Sequence, residues 1–129
     1  MLSEPNVLVI DDDPMIGRLM TAMLQREGYQ VRVSDSVKGA LAMIESKIPD
    51  VILCDLVLPF MDGLDFLKQR QATPKLANIP VVIVSASSED PMIEKALSLG
   101  AAEALRKPFG PVDLLGVVSS AVGKTQGHG

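Results

Sequence analysis

The chain has 129 residues, 47% of them hydrophobic and 22% charged, with a formal net charge of −4. That length fits one domain able to bury a core, and the acidic balance argues against a nucleic-acid surface of clustered Lys and Arg on this domain, while leaving open a fused or partner DNA-binding domain. A single cysteine, Cys54, rules out an internal disulfide and a Cys-rich metal site. Aromatics make up only 3%, so aliphatic and Met side chains must fill the interior. The N-terminus MLSEPN lacks a basic region followed by an apolar run, and no apolar stretch approaches the ~20 residues that span a bilayer. The expected location is the cytoplasm.

Val7–Ile10 is a continuous apolar run, the pattern of a strand covered on both faces. Three acids follow, Asp11-Asp12-Asp13, then Pro14, suited to a first helical turn with Asp13 as N-cap. Met15, Ile16, Leu19, Met20, Met23 and Leu24 predict one apolar helical face, and Gly28 closes the helix. Tyr29–Ser34 alternates and predicts a strand near a sheet edge. Val37, Ala40, Leu41 and Ile44 mark a second helix that ends before Pro49. Val51–Cys54 is a third buried strand, delivering Asp55 into a loop that carries Pro59 and an Asp62-Gly63 turn. Leu64–Gln71 predicts a short helix with Leu64 and Leu67 inward, and Ala72–Pro80 a polar loop.

Val81–Val84 predicts a fourth buried strand ending at Ser85. Pro91 opens a helix to Leu99 with Met92, Ile93, Ala96 and Leu97 inward, capped by Gly100. Ala104–Arg106 is a short fifth strand, followed by Lys107-Pro108-Phe109-Gly110 and a last helix from Pro111 to about Val122. Its apolar residues cover an arc wider than the ~100° that a surface helix needs. That width predicts either a broad contact with the sheet and first helix or a docking face shared with the Pro91–Leu99 helix. The division is a domain over residues 1–122 and a frayed tail, 123–129, in which His128 is too isolated to act as a ligand.

Five βα units predict an α/β fold: a doubly wound parallel sheet with helices on both faces. Such sheets bind ligands beyond the C-terminal strand ends. Asp11-Asp12-Asp13, Asp55, Ser85 and Lys107 all fall there. Crowded carboxylates repel one another and are tolerable around a divalent cation. An all-oxygen donor set suits Mg²⁺ or Mn²⁺. A carboxylate, a metal, a lysine and a hydroxyl are the parts that move a phosphoryl group onto Asp55.

LVIDDDP at Leu8–Pro14, DLVLPFMDG at Asp55–Gly63, VSAS at Val84–Ser87 and KPF at Lys107–Phe109 resemble, in order and spacing, the receiver domain of bacterial two-component response regulators. The resemblance implies a flavodoxin-like (βα)5 fold with strand order 2-1-3-4-5. It implies Asp55 as phosphoryl acceptor, Asp11 and Asp12 as the acidic pair with Asp12 the more direct metal ligand, and the Val57 backbone carbonyl as a further ligand. Ser85 then bonds the phosphoryl oxygen after transfer, and Lys107 pairs with that group ahead of a cis Pro108. The implied donor is a histidine kinase or a histidine phosphotransfer protein. The implied output is a downstream protein or a homodimer through the Pro91–Leu99 and Pro111–Val122 helices. Such a chain catalyses only its own phosphorylation and is not an enzyme acting on an external metabolite.

The family usually has a Tyr or Phe three positions before the lysine. Here that position is Ala104, which has no rotamer to switch, so an atypical output is expected. Val57 and Ser87 match positions that tune phosphoryl lifetime, and apolar Val57 cannot orient a hydrolytic water. Two other functions compete: a phosphorylation-independent interaction module, favoured by Ala104, and a hydrolase with an aspartyl-phosphate intermediate, disfavoured by Val57.

Overall fold

Continuous apolar runs make the centre of the sheet. In the computed structural model, which describes residues 4–86 and 90–126, β1 (Asn6–Ile10) and β3 (Val51–Asp55) are buried over their whole length. The fourth strand, β4 (Val81–Ala86), is buried up to Ser85. Strands covered on both faces need no polar alternation. β2 (Gln30–Ser34) alternates and lies at one edge, while β5 (Glu103–Lys107) closes the other. All pairings are parallel and the order is β2-β1-β3-β4-β5. The expected flavodoxin-like α/β architecture is therefore the one observed.

The helices are α1 (Pro14–Gln25), α2 (Val37–Ser46), α3 (Gly63–Ala72), a single turn α4 (Pro74–Ala77), α5 (Asp90–Ser98) and α6 (Pro111–Gln126). α1 and α6 cover one face, where Met20, Leu24, Leu114, Val118 and Ala121 meet Val9, Leu53 and Val84. α2, α3 and α5 cover the other, where Ala40, Phe66, Leu67, Ile93 and Ala96 meet Leu8, Ile52 and Ile83. Among the described residues no helix is long and apolar enough to cross a membrane.

Several expectations need correction. Met15 and Leu19 are exposed, because α1 turns Gly17, Met20 and Leu24 inward. Leu97 is likewise exposed, leaving Ile93 and Ala96 as the buried residues of α5. The 72–80 segment contains the helical turn α4. α6 runs to Gln126, past Val122. Its wide apolar arc is spent on packing: Leu114, Val118, Ala121 and Val122 are buried, and Val112 is the large apolar side chain left exposed. That is the broad contact with the sheet and α1. Ser87 and His128 lie outside the described residues.

Asp62-Gly63 is a helix start. Asp62 Oδ1 accepts from the Asp65 backbone N at 2.9 Å while Asp65 returns a bond to the Asp62 N, forming a capping box. Gly63 N donates to the Leu56 carbonyl at 2.9 Å. A Cβ on Gly63 would stand 2.8 Å from the Asp55 carbonyl oxygen and 3.0 Å from Leu56 Cα. The helix can lie this close to β3 only without a side chain there. Gly63→Ala is expected to destabilise the fold by about 1–3 kcal/mol. Gly116→Ala, on an exposed stretch of α6 with nothing within 4 Å of its Cβ, is expected to stabilise it by about 0.5–1 kcal/mol. Urea denaturation of the two variants checks both signs.

Candidate functional site

Register brings the strand ends together. Ile10 pairs with Cys54, so Asp11 and Asp55, one step beyond, emerge side by side. Asp55 pairs with Val84, and Lys107 pairs with Ala86 across the next ladder. The acidic run divides its work. Asp13 Oδ1 accepts from the Met15 N at 2.9 Å and caps α1. Asp11 accepts from the Asp13 N at 2.9 Å and turns into the rim. Asp11 and Asp55 are buried, whereas Asp12 is exposed.

One carboxylate oxygen from each of Asp11, Asp12 and Asp55 can be chosen so that all lie within 4.8 Å of one another. Lys107 Nζ lies 3.4 Å from Asp55 Oδ2 and 3.6 Å from Asp11 Oδ2. Three like-charge contacts thus face two opposite-charge ones. Asp11 Oδ2 is buried and accepts no hydrogen bond, its nearest cation being Lys107 just beyond hydrogen-bond reach. Burial pushes the Asp11 carboxyl above its ordinary value of 3.8, overcoming the Asp13 amide and Lys107. Burial raises Asp55 too, with Asp11 adding to the rise and Lys107 opposing it. A rim with surplus negative charge, an orphaned oxygen and only oxygen donors can hold a hard divalent cation.

The remaining expected residues take separate places. Val57, on the loop after β3, donates its backbone N–H to Asp55 Oδ1 at 3.4 Å and exposes its side chain. Ser85 is fully buried and its Oγ has no hydrogen-bond partner. Strand alternation sets Ser85 on the pleat side of Ile83, opposite to that of Asp55 and Lys107. Its hydroxyl is therefore at the rim without touching the carboxylates. Ala104 pairs with Ile83 on β5 and sits half-buried against the α5 side of the core. The Lys107–Pro108 peptide is cis. Cys54 is fully buried, its thiol donating to the Asp55 carbonyl at 3.4 Å. Burial and the neighbouring carboxylates push its pKa far above the usual thiol range.

One residue of this loop escaped the sequence reading. Phe60 has φ 69° and is fully exposed. Its only sequence signal is an aromatic placed directly after Pro59, ahead of Met61 and Asp62.

The raised carboxyl pKa values carry a pH dependence. Between 3.8 and the raised values the native chain binds more protons than the unfolded chain. The associated stability is therefore full below 3.8 and is lost as pH rises through the native-state values. In chelator, the wild-type melting temperature is expected to rise by a few degrees on going from pH 7 into the weakly acid range. Asp11→Asn and Asp55→Asn are expected to flatten that rise. Thermal melts against pH check this, and equal pH slopes in all three proteins would contradict it.

The family model described as "Response regulator receiver domain" matches residues 7–119. The two-component response regulator ORR12 of Oryza sativa subsp. japonica is 36% identical over 88% of this chain and 94% of its own length. The DNA-binding response regulator MtrA of Mycolicibacterium smegmatis is 30% identical over 93% of this chain, which spans only 51% of MtrA. The structure of the chemotaxis response regulator CheY4 of Vibrio cholerae superposes with a TM-score of 0.85 at 27% identity, covering 92% of this chain and 99% of that one. With its sheet order, its acidic rim and a match running from β1 into α6, the chain belongs to the receiver domains of two-component response regulators.

Proposed function

We propose that this receiver works in the cytoplasm as a Mg²⁺-dependent phosphoryl acceptor, and that Asp55 is the nucleophile. The observation that carries the reading is the cluster itself: Asp11, Asp12 and Asp55 oxygens within 4.8 Å, with Lys107 Nζ 3.4 Å from Asp55. An Asp55 carboxylate oxygen attacks the phosphorus of a phosphohistidine on a kinase or phosphotransfer protein. The new O–P bond forms as the P–N bond breaks, and the imidazole leaves with the electron pair and takes up a proton. Asp11, Asp12, Asp55 and the Val57 carbonyl would hold Mg²⁺ (or Mn²⁺), which when bound offsets charge on the phosphoryl oxygens. Lys107, already between Asp55 and Asp11, pairs with the incoming group. The unpartnered Ser85 hydroxyl is held in reserve for a phosphoryl oxygen, which it reaches by a local shift at the end of β4. The chain acts only on itself and is not an enzyme toward an external substrate.

Output runs without the aromatic that usually reports the shift, since Ala104 stands in its place. We assign the reading of the phosphorylated state to a downstream protein on α5 and α6, where Leu97 and Val112 are exposed. Ala104 also supports a second reading, an interaction module that binds its partner whatever the state of Asp55.

Acetyl phosphate with Mg²⁺ is expected to add about 80 Da, one phosphoryl group on an aspartate nucleophile. Asp55→Asn is expected to give no adduct, and Asp12→Asn or Lys107→Ala a slower or smaller one. Intact mass spectrometry decides, and a wild-type chain that takes no adduct leaves the interaction module. The phosphoryl group is expected to persist for minutes or longer, because Val57 offers no group to orient water. A half-life of seconds in a ³²P decay course would contradict that role for Val57.

A further inference from the structure

Phe60 is held against its own preference. Among the described residues it is the one non-glycine with positive φ, a conformation costing about 1–2 kcal/mol for an L-residue and met more easily by Gly or Asn. The turn is closed by the Met61 N–H donating to the Pro59 carbonyl at 2.7 Å, but the ring itself returns nothing to the fold, being as exposed as in an extended chain, at 105%. An uncovered aromatic in a strained loop loses stability for the monomer and supplies the side chain that dominates buried interface cores.

Phe60 stands at one wall of a groove of about 660 Å³ between the start of α2 and the β3–α3 loop. Val37, Leu41 and Met61 line it, as do Asp35 and Lys38. The volume falls in the ~300–1,000 Å³ range of ligand-sized pockets, ample for a phenyl ring from outside. A knob and a hole side by side on one surface are complementary to themselves under a two-fold axis, the geometry of an isologous dimer. The lining charges favour the same occupant. Asp35 and Lys38 are both exposed, and neither makes an ion pair with another described residue. They stand three residues apart at the start of α2, so reversing one copy against another sets each acid opposite a lysine.

We propose that Phe60 is the anchor of a symmetric dimer. The ring of each copy enters the α2 groove of the other, and Asp35 faces Lys38 of the partner subunit. This contact lies apart from α5 and α6 and does not rest on phosphorylation of Asp55.

Sedimentation velocity of the full chain across a wide concentration range tests it. Wild type is expected to show a concentration-dependent monomer–dimer equilibrium. Phe60→Gly and Phe60→Asn keep the loop conformation without the ring, and each is expected to weaken association by about tenfold or more while folding at least as stably in thermal melts. Asp35→Lys and Lys38→Asp are each expected to weaken it, and the double exchange to restore it. A wild-type chain that stays monomeric throughout overturns the proposal and leaves the groove to another protein. A dimer that survives Phe60→Gly, or a double exchange that restores nothing, overturns it as well.

Discussion

Lys107 is the cation paired with Asp11 and Asp55 in the acidic rim, and much of the molecule serves the distances it keeps. It reaches Asp55 and Asp11 from β5, an edge strand two ladders away from β3. Only a parallel sheet in this register brings the ends of β1, β3 and β5 to one level. The ammonium is insufficient for three carboxylates, and burial of two of them deepens the imbalance. A fold that maintains such an imbalance gives up stability for a site that gains from arriving positive charge. The same imbalance raises the proton affinity of Asp11 and Asp55, and a cation held there would compete with protons for one place.

The sequence carried most of this in legible form. Continuous apolar runs mark β1, β3 and β4 because both faces of those strands are covered, and a strand end is where a buried chain must turn polar. Asp11, Asp12, Asp55, Ser85 and Lys107 could therefore be placed on one rim before any coordinates. Helix orientation was less legible. Gly17 faces inward on α1 with no apolar signal of its own, so Met15 and Leu19 were read as core in its place. Phe66 is fully buried although the helical spacing points only to Leu64 and Leu67. Asp62-Gly63 carries turn residues, and the reciprocal Asp62–Asp65 bonds show that a helix begins there. The φ of Phe60 has no sequence signature at all, since it is imposed by the loop around it.

The separation of Ser85 from the carboxylates bears on the output proposed for this receiver. Ser85 belongs to the pleat side of Ile83 and Ala104, the side facing α5. Any shift of that hydroxyl toward the rim disturbs packing on the face opposite the acids. With Ala104 there, the neighbouring position on β5 has no large side chain to follow. The contacts that lead from Ser85 toward α5 are the β4 backbone and its packed aliphatic side chains rather than one rotating ring.

Cys54, finally, has a practical bearing. Its thiol, on β3 itself, is sealed in the core and held protonated by burial and adjacent carboxylates, which leaves it inert toward thiol reagents while the sheet is intact. A cysteine introduced on the surface would accept a fluorophore or spin label without competition from the native one. In the unmodified chain, slow alkylation of Cys54 becomes a clock for opening at the centre of the sheet, one residue from Asp55.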